Sequence, residues 1–256
     1  MASLSPVYGT NRTPDSTEWR MRCELAAAFR LAALAGWDDH VATHMSARLP
    51  DGTFLLNPFG LMFEELTASS LMRMDLAGNV IEIPDGLMLN PAAFGVHASV
   101  LEGRPDAGCV IHFHTQDGVA VSALKEGLLP LSQNALTIWG DIAYHDYEGV
   151  VDAAREKELL QRDIGGKHLM ILRNHGTLAL GRSIASAFYR IQALEWACTA
   201  QVRTLAMGRE LTLPRAEVVQ ALPMVQNPGW VDNFAENRFW PAMLRKAQRD
   251  CPGFDC

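Results

Sequence analysis

The chain has 256 residues, 48% apolar and 20% charged, which is ordinary for a soluble globular protein and enough for a sizeable core. Its net charge is −7, from 22 basic and 29 acidic residues without a basic block, so a nucleic-acid partner, which needs a clustered cationic face, is not expected. The five cysteines form no CxxC pair, the N-terminus lacks a signal-peptide pattern, and no stretch reaches the ~18–20 unbroken apolar residues of a membrane span, which together point to a reduced, cytoplasmic protein. Only Cys251 and Cys256, both at the extreme tail, suggest a local pair.

In chain order, residues 1–14 read as a disordered arm. Asp15 to Glu18 supplies a helix cap and an acid three positions later, Leu25, Phe29, Ala32 and Ala33 continue at helical spacing, and Gly36 ends the helix. From 41 to 83, short apolar runs such as Thr53–Leu56 and Leu71–Leu76 alternate with Asp51-Gly52, Asn57-Pro58 and Gly78-Asn79, the punctuation of strands and turns. Pro91 to Leu101 suits a helix with its proline at the start. Cys109–Phe113 is a β-rich run, Asp117–Leu124 a short helix and Ile138–Tyr144 a further strand candidate. Asp152–Arg162 is a charged helix, and His168–Leu172 and Thr177–Leu180 are short strands. Ser183–Met207 is a long helix with Phe188, Ile191, Leu194 and Cys198 on one apolar stripe, which Trp196 is expected to join. Residues 15–208 form one expected domain. Residues 209–256, with Trp230, Phe234, Phe239 and Trp240, form a C-terminal arm that packs on the domain or on a neighbouring subunit. Irregular alternation of helices and strands, with many tight turns, favours a mixed or antiparallel sheet covered by helices.

The chemistry concentrates in Val110–Thr115. On a strand, residues i and i+2 share a face, so His112 and His114 present two imidazoles about 6–7 Å apart at the backbone, close enough for one metal ion. The third ligand is sought in His175, which follows a strand and precedes Gly176 in a turn where functional residues gather. Three neutral imidazoles suit zinc, manganese or ferrous iron, with open positions for water or substrate. The competing reading is a pair of hydrogen-bonded strand histidines.

The stretches RCELA (Arg22–Ala26), AGW (Ala35–Trp37), PFGL (Pro58–Leu61), LTASS (Leu66–Ser70), HFHT (His112–Thr115), AYHDY (Ala143–Tyr147) and LRNHG (Leu172–Gly176) occur in an order and spacing that resemble the class II aldolase/adducin family. The texture is similar to adducin head domains and their bacterial relatives. The resemblance implies a three-layer α/β/α sandwich around a mostly antiparallel central sheet. It also implies one divalent metal ion per subunit on an HxH pair and a later histidine, the positions of His112, His114 and His175. A homotetramer with sites between subunits is expected from the same source.

The chain departs from the phosphosugar aldolases of that family. Their acid/base glutamate lies nineteen residues before the first metal histidine, where this chain has Ala93. Their phosphate-holding Gly-Asn-x-Ser turn is Thr43–Ser46 here, with His44 in place of the asparagine. Their catalytic tyrosine has no counterpart near Pro130–Asn134. His44 is therefore the candidate replacement acid/base, since an imidazole titrates near neutrality, and His145 is a second histidine within expected reach. Each has a framework reading as a merely hydrogen-bonded histidine. Asn174 and Gln116 are candidates for orienting the metal ligands, His97 reads as a packing histidine, and Glu64 and Glu65 read as a solvated face. Three functions follow from the resemblance. The first is a metal-dependent lyase that breaks a C–C bond of a small non-phosphorylated hydroxy/oxo acid or aromatic substrate through a metal-stabilised enolate. The second is a non-haem Fe(II) oxygenase on the same ligands. The third is a non-enzymatic, adducin-like interaction module.

Overall fold

The computed structural model describes residues 16–149, 153–221 and 228–256. The arm expected over residues 1–14 lies outside them. Helix α1 (Thr17–Leu34) is capped one residue later than the sequence suggests: Ser16 is the N-cap, its hydroxyl accepting from the Trp19 amide. Gly36 ends α1 at φ +70, a conformation that suits a residue without Cβ.

Eight strands form one sheet. They are β1 (His44–Arg48), β2 (Phe54–Leu56), β3 (Met72–Met74), β4 (Val80–Glu82), β5 (Cys109–Phe113), β6 (Ile142–His145), β7 (Leu169–Leu172) and β8 (Gly176–Gly181). Their spatial order is β4-β3-β2-β1-β5-β8-β7-β6, antiparallel at every pairing except β6 with β7. The parallel pair arises because β6 reaches β7 through helix α5 (Ala153–Ile164) and not through a hairpin.

Side-chain alternation assigns the two faces. Ile111 and Phe113 of β5, with Met45 and Ala47 of β1, pack against α1 and the long helix α6 (Ile184–Ala206) through Phe29, Phe188 and Leu194. Val110, Leu178, Leu180 and Met170 face α5 and α2 (Pro91–Gly103) through Val100, Leu101, Leu160 and Ile164. The result is the three-layer α/β/α sandwich. His112 and His114 share the parity of Val110 and so belong to the α2 face.

The expected strand Ile138–Tyr144 divides in two. After α3 (Gln116–Ser122), Ser132 caps a short helix α4 (Gln133–Ile138), Gly140 turns at φ +87, and β6 begins at Ile142. A capped apolar run this short carries no decisive period, so the cap and the turn settle its type. Beyond α6 come α7 (Ala216–Gln220), α8 (Pro228–Phe234) and α9 (Trp240–Asp250), with a π-turn over Ala235–Phe239. Trp240 is buried, its ring 5.6 Å from that of Phe188 and its indole N–H donating to Glu24. The Phe254 side chain is fully buried and its carbonyl accepts from Ala68. Trp230 stacks on Phe234 at 5.2 Å. Trp196 is not core: it is 50% exposed, one residue off the buried stripe of α6, beside an equally exposed Leu34. All five cysteines are free, including Cys251 and Cys256. Among the described residues no helix is long and apolar enough to cross a membrane.

Candidate metal centre

The β7–β8 hairpin places His175. Its loop is Arg173–His175, with Asn174 at φ +57, a left-handed conformation that asparagine tolerates better than most residues. The His175 amide closes the turn on the Leu172 carbonyl at 3.1 Å. Gly176 then passes against the end of β5 so closely that a Cβ there would lie 2.2 Å from the Phe113 carbonyl oxygen. That contact brings His175 to the end of the strand that carries His112 and His114.

The three rings converge through one type of atom. His112 Nε2 and His114 Nε2 are 2.8 Å apart, and His114 Nε2 and His175 Nε2 are 3.0 Å apart. The opposite nitrogens fix the hydrogens. His112 Nδ1 lies 2.9 Å from the Thr177 carbonyl, which can only accept, so Nδ1 carries the proton. His114 Nδ1 faces Asp39 Oδ2 at 3.1 Å and donates likewise. Two Nε2 lone pairs thus point at each other across 2.8 Å, a repulsive contact unless a cation or a proton lies between them. A proton is disfavoured. Burial first, then the neighbouring rings, holds His112 well below the ordinary imidazole range, and burial with His114 and His145 lowers His175 to about 4. A divalent metal fits, since metal–nitrogen bonds of about 2.0–2.1 Å separate adjacent ligand nitrogens by roughly 3 Å. Among the described residues this is the only trio of metal-ligating side chains close enough to share one ion.

Asp39 and the Thr177 carbonyl do the orienting expected of Gln116 and Asn174. Neither of those side chains bonds to a ligand ring. Behind them sits a group that the sequence reading passed over. Glu195 of α6 is fully buried and accepts from the hydroxyls of Thr115 and Thr177, one residue after His114 and two after His175. Burial, against those two hydrogen bonds, raises its carboxyl to about 7. The available signal was its place on the buried stripe of α6, four residues after Ile191 and three before Cys198. Glu195→Ala strips two buried hydroxyls of their acceptor and opens a void. We expect a loss of about 2–4 kcal/mol in urea unfolding and roughly 10–100-fold weaker metal binding in chelator competition.

His44 pairs with His112 across β1 and β5, and the two ring centroids are 5.0 Å apart. It lies outside the trio. Its Nδ1 meets His97 Nε2 at 2.7 Å, and His97 Nδ1 meets Ser46 Oγ at 2.6 Å. His97 is therefore a buried link between two polar groups and not simply a packing residue. His145 ties its Nδ1 to Asp163 at 2.7 Å and lines a cavity of about 340 Å³ together with His175, Tyr147 and Arg173.

Four histidines are held below their ordinary range, chiefly by burial: His44, His97 (to about 3), His112 and His175. In the metal-free protein these rings stay neutral while the unfolded chain gains protons below about pH 6.5. Stability is therefore full above that pH and falls as the pH drops towards 4, each linked histidine adding at most roughly 1.4 kcal/mol per pH unit. Glu195, raised to about 7, opposes them, since its contribution is full below the unfolded carboxylate range and is lost as the pH rises through 7. Four groups outweigh one. Urea midpoints of chelator-treated protein should rise from pH 4.5 to 6.5, and a flat or falling profile would contradict the assignment.

Residues 23–202 match the family model described as the Class II Aldolase and Adducin N-terminal domain. The chain belongs to the class II aldolase/adducin family. A Caulobacter vibrioides protein named only for its aldolase class 2 membership is 46% identical over 254 residues, 97% of each chain. Mouse alpha-adducin is 46% identical over 196 residues, 75% of this chain and 26% of adducin. Among solved structures, an aldolase II superfamily protein from Pseudomonas syringae superposes with TM-score 0.86 at 43% identity, covering 97% of this chain and all of that one. L-fuculose 1-phosphate aldolase from Glaciozyma antarctica superposes with TM-score 0.80 at 26% identity, covering 96% of each. Class II aldolases use a divalent metal, typically zinc, and the convergent Nε2 atoms of this family member fit that requirement.

Proposed function

We propose that the protein is a metal-dependent lyase that cleaves a C–C bond, by retro-aldol reaction or decarboxylation, in a small non-phosphorylated hydroxy/oxo acid or aromatic substrate. The observation that carries the reading is the convergence of the Nε2 atoms of His112, His114 and His175, the first two unprotonated, in a chain whose aldolase glutamate position is alanine. When bound there, a divalent ion, zinc before manganese or iron, polarises a carbonyl or carboxylate oxygen. His112, His114 and His175 hold it, and Asp39 and the Thr177 carbonyl keep the rings in register. His44 and His145 are the proposed groups beside the reacting substrate.

Two features support an unphosphorylated substrate. The residue that replaces the phosphate-cradle asparagine is His44, buried and bonded to His97, so its position is filled. The cavity beside His175 carries Asp146, Glu148 and Glu156. Its guanidinium, Arg173, is engaged by the Leu124 and Lys125 carbonyls and stacks 4.4 Å over Tyr144. Such a rim repels a phosphate dianion. We place the enzyme in the cytoplasm, where its five free thiols stay reduced, as a homotetramer, the state common among class II aldolases.

The test is a panel of unphosphorylated hydroxy and oxo acids, followed for aldehyde or carbon dioxide release by zinc-loaded and manganese-loaded protein. Turnover that disappears with chelator is expected. Tight, saturable binding of a sugar phosphate would sink the reading. The identity to alpha-adducin favours a second one, an interaction module without turnover. Wild-type protein that holds no metal would support it.

A further inference from the structure

Ser46, His97 and His44 form a buried chain whose direction follows from which atom has to donate. Ser46 Oγ is 2.6 Å from His97 Nδ1, and His97 Nε2 is 2.7 Å from His44 Nδ1. Ser46 and His97 have no exposed surface, and His44 is 5% exposed. Each link could in principle run either way. The two ends differ. A hydroxyl has one hydrogen, and among the described residues the Ser46 hydroxyl has one partner, His97.

If His97 donated to Ser46, the serine hydrogen would be left buried with no acceptor, the costly outcome for any polar group out of reach of water. Ser46 therefore donates, and His97 Nδ1 accepts with its lone pair. The neutral His97 ring then carries its hydrogen on Nε2 and donates to His44 Nδ1. His44 in turn carries its hydrogen on Nε2, which makes no hydrogen bond among the described residues. The His44 ring sits 5.0 Å from that of His112, centroid to centroid, at the edge of the histidine trio.

We propose that Ser46 and His97 are positioning residues that fix the His44 ring hydrogen on Nε2, making His44 a hydrogen-bond donor for an anionic oxygen held at the neighbouring centre. The proposal rests on the lyase reading and deepens it. It assigns the substrate class an oxygen that carries negative charge beside the metal ligands, a carboxylate or an enolate. It also changes the role expected of His44. A ring with Nε2–H and an engaged Nδ1 has no lone pair to offer the substrate, so it stabilises charge and does not abstract a proton. The donor is pre-oriented by two fully buried groups, which is what electrostatic stabilisation of a developing oxyanion requires.

Long-range proton–nitrogen correlation spectra of histidine-labelled, full-length protein read ring tautomers directly. Spectra would be taken on zinc-loaded and chelator-treated samples, with His44→Gln used to assign the signals. His44 and His97 are both expected as Nε2–H tautomers in both samples. Ser46→Ala removes the group that sets the direction, so the His44 signals should become those of a tautomer mixture, and Ser46→Thr should restore the single form. The same zinc-loaded proteins would be titrated with oxalate, a compact carboxylate chelator, by calorimetry. Binding about tenfold weaker in Ser46→Ala, and near wild type in Ser46→Thr, is expected for loss of one oriented donor. A wild-type His44 that carries its hydrogen on Nδ1 would overturn the proposal. So would a folded Ser46→Ala with unchanged tautomer and unchanged oxalate affinity. If Ser46→Ala fails to fold, the wild-type tautomer decides alone. Zinc content separates the two readings: expected tautomers in protein that cannot hold zinc refute the lyase and with it the donor role, leaving only the ring tautomers, whereas zinc-bound protein with the opposite tautomer refutes the donor role alone.

Discussion

His114→Ala should abolish metal binding while leaving the fold intact. His114 is the shared member of the trio, its Nε2 2.8 Å from that of His112 and 3.0 Å from that of His175. Its removal leaves two imidazoles, too few to hold a zinc ion against solvent. The ring is part-exposed at the mouth of the site, with 21% of its side chain accessible, so truncation opens no deep cavity. By plasma mass spectrometry, wild-type protein prepared without chelator should carry about one ion per chain and the variant close to none. Asp39→Asn provides a graded comparison. It weakens the acceptor that fixes the His114 tautomer without removing a ligand, so its loss of affinity should fall in the roughly 10–100-fold range. Zinc at a thousandfold excess over its dissociation constant should stabilise the wild type by about 4 kcal/mol and His114→Ala not at all. Metal retained in His114→Ala would move the site elsewhere. Iron in the wild type would raise the oxygenase reading, because the ligand set is the same for both chemistries.

The parts of this centre that could be read from the sequence share a property: their geometry is set by local periodicity. His112 and His114 lie on one face because a strand alternates, and β5 runs from Cys109 to Phe113 as its β-rich composition indicates. His175 was found because a histidine before a glycine marks a strand-end turn. The groups that were passed over act across long sequence distances. Asp39 reaches His114 from 75 residues away, and Thr115 meets Glu195 from 80. His97 looked like packing because its partners, Ser46 and His44, lie on a strand about fifty residues earlier, and only the crossing of α2 over β1 brings them together. Glu195 could have been found, since a carboxylate on an apolar helical stripe has to be explained by partners. Trp196 was misplaced by one position, which on a helix turns a side chain about 100° out of the core. The strand expected over Ile138–Tyr144 failed for a different reason: the run is too short for its period to separate a helical turn from a strand.

Gly176→Ala should damage both the fold and the centre, because one backbone position serves both. The added Cβ would lie 2.2 Å from the Phe113 carbonyl oxygen and 3.1 Å from His114 Cδ2. Neither neighbour can give way. Phe113 is paired with Thr177 on β8 and is fully buried under Trp37 and Phe63, with ring centroids 6.2 Å away in both cases. β8 must then separate from β5 at its first residue, or the hairpin loop must shift and carry His175 away from His114. Either route costs about 3 kcal/mol or more and weakens metal binding. Gly166→Ala is the matched control, with nothing within 4 Å of its added Cβ, and should lie within about 0.5 kcal/mol of wild type. The diagnostic quantity is the difference in urea stability between zinc-loaded and metal-free protein. A purely structural injury lowers both states equally and preserves the gap. Displacement of His175 narrows it, since the bound ion can no longer repay the distorted turn with three well-placed nitrogens. An unchanged gap in a destabilised Gly176→Ala would mean that the hairpin and the histidine centre are mechanically independent, and that His175 is held in place by its ring contacts and not by the turn beneath it.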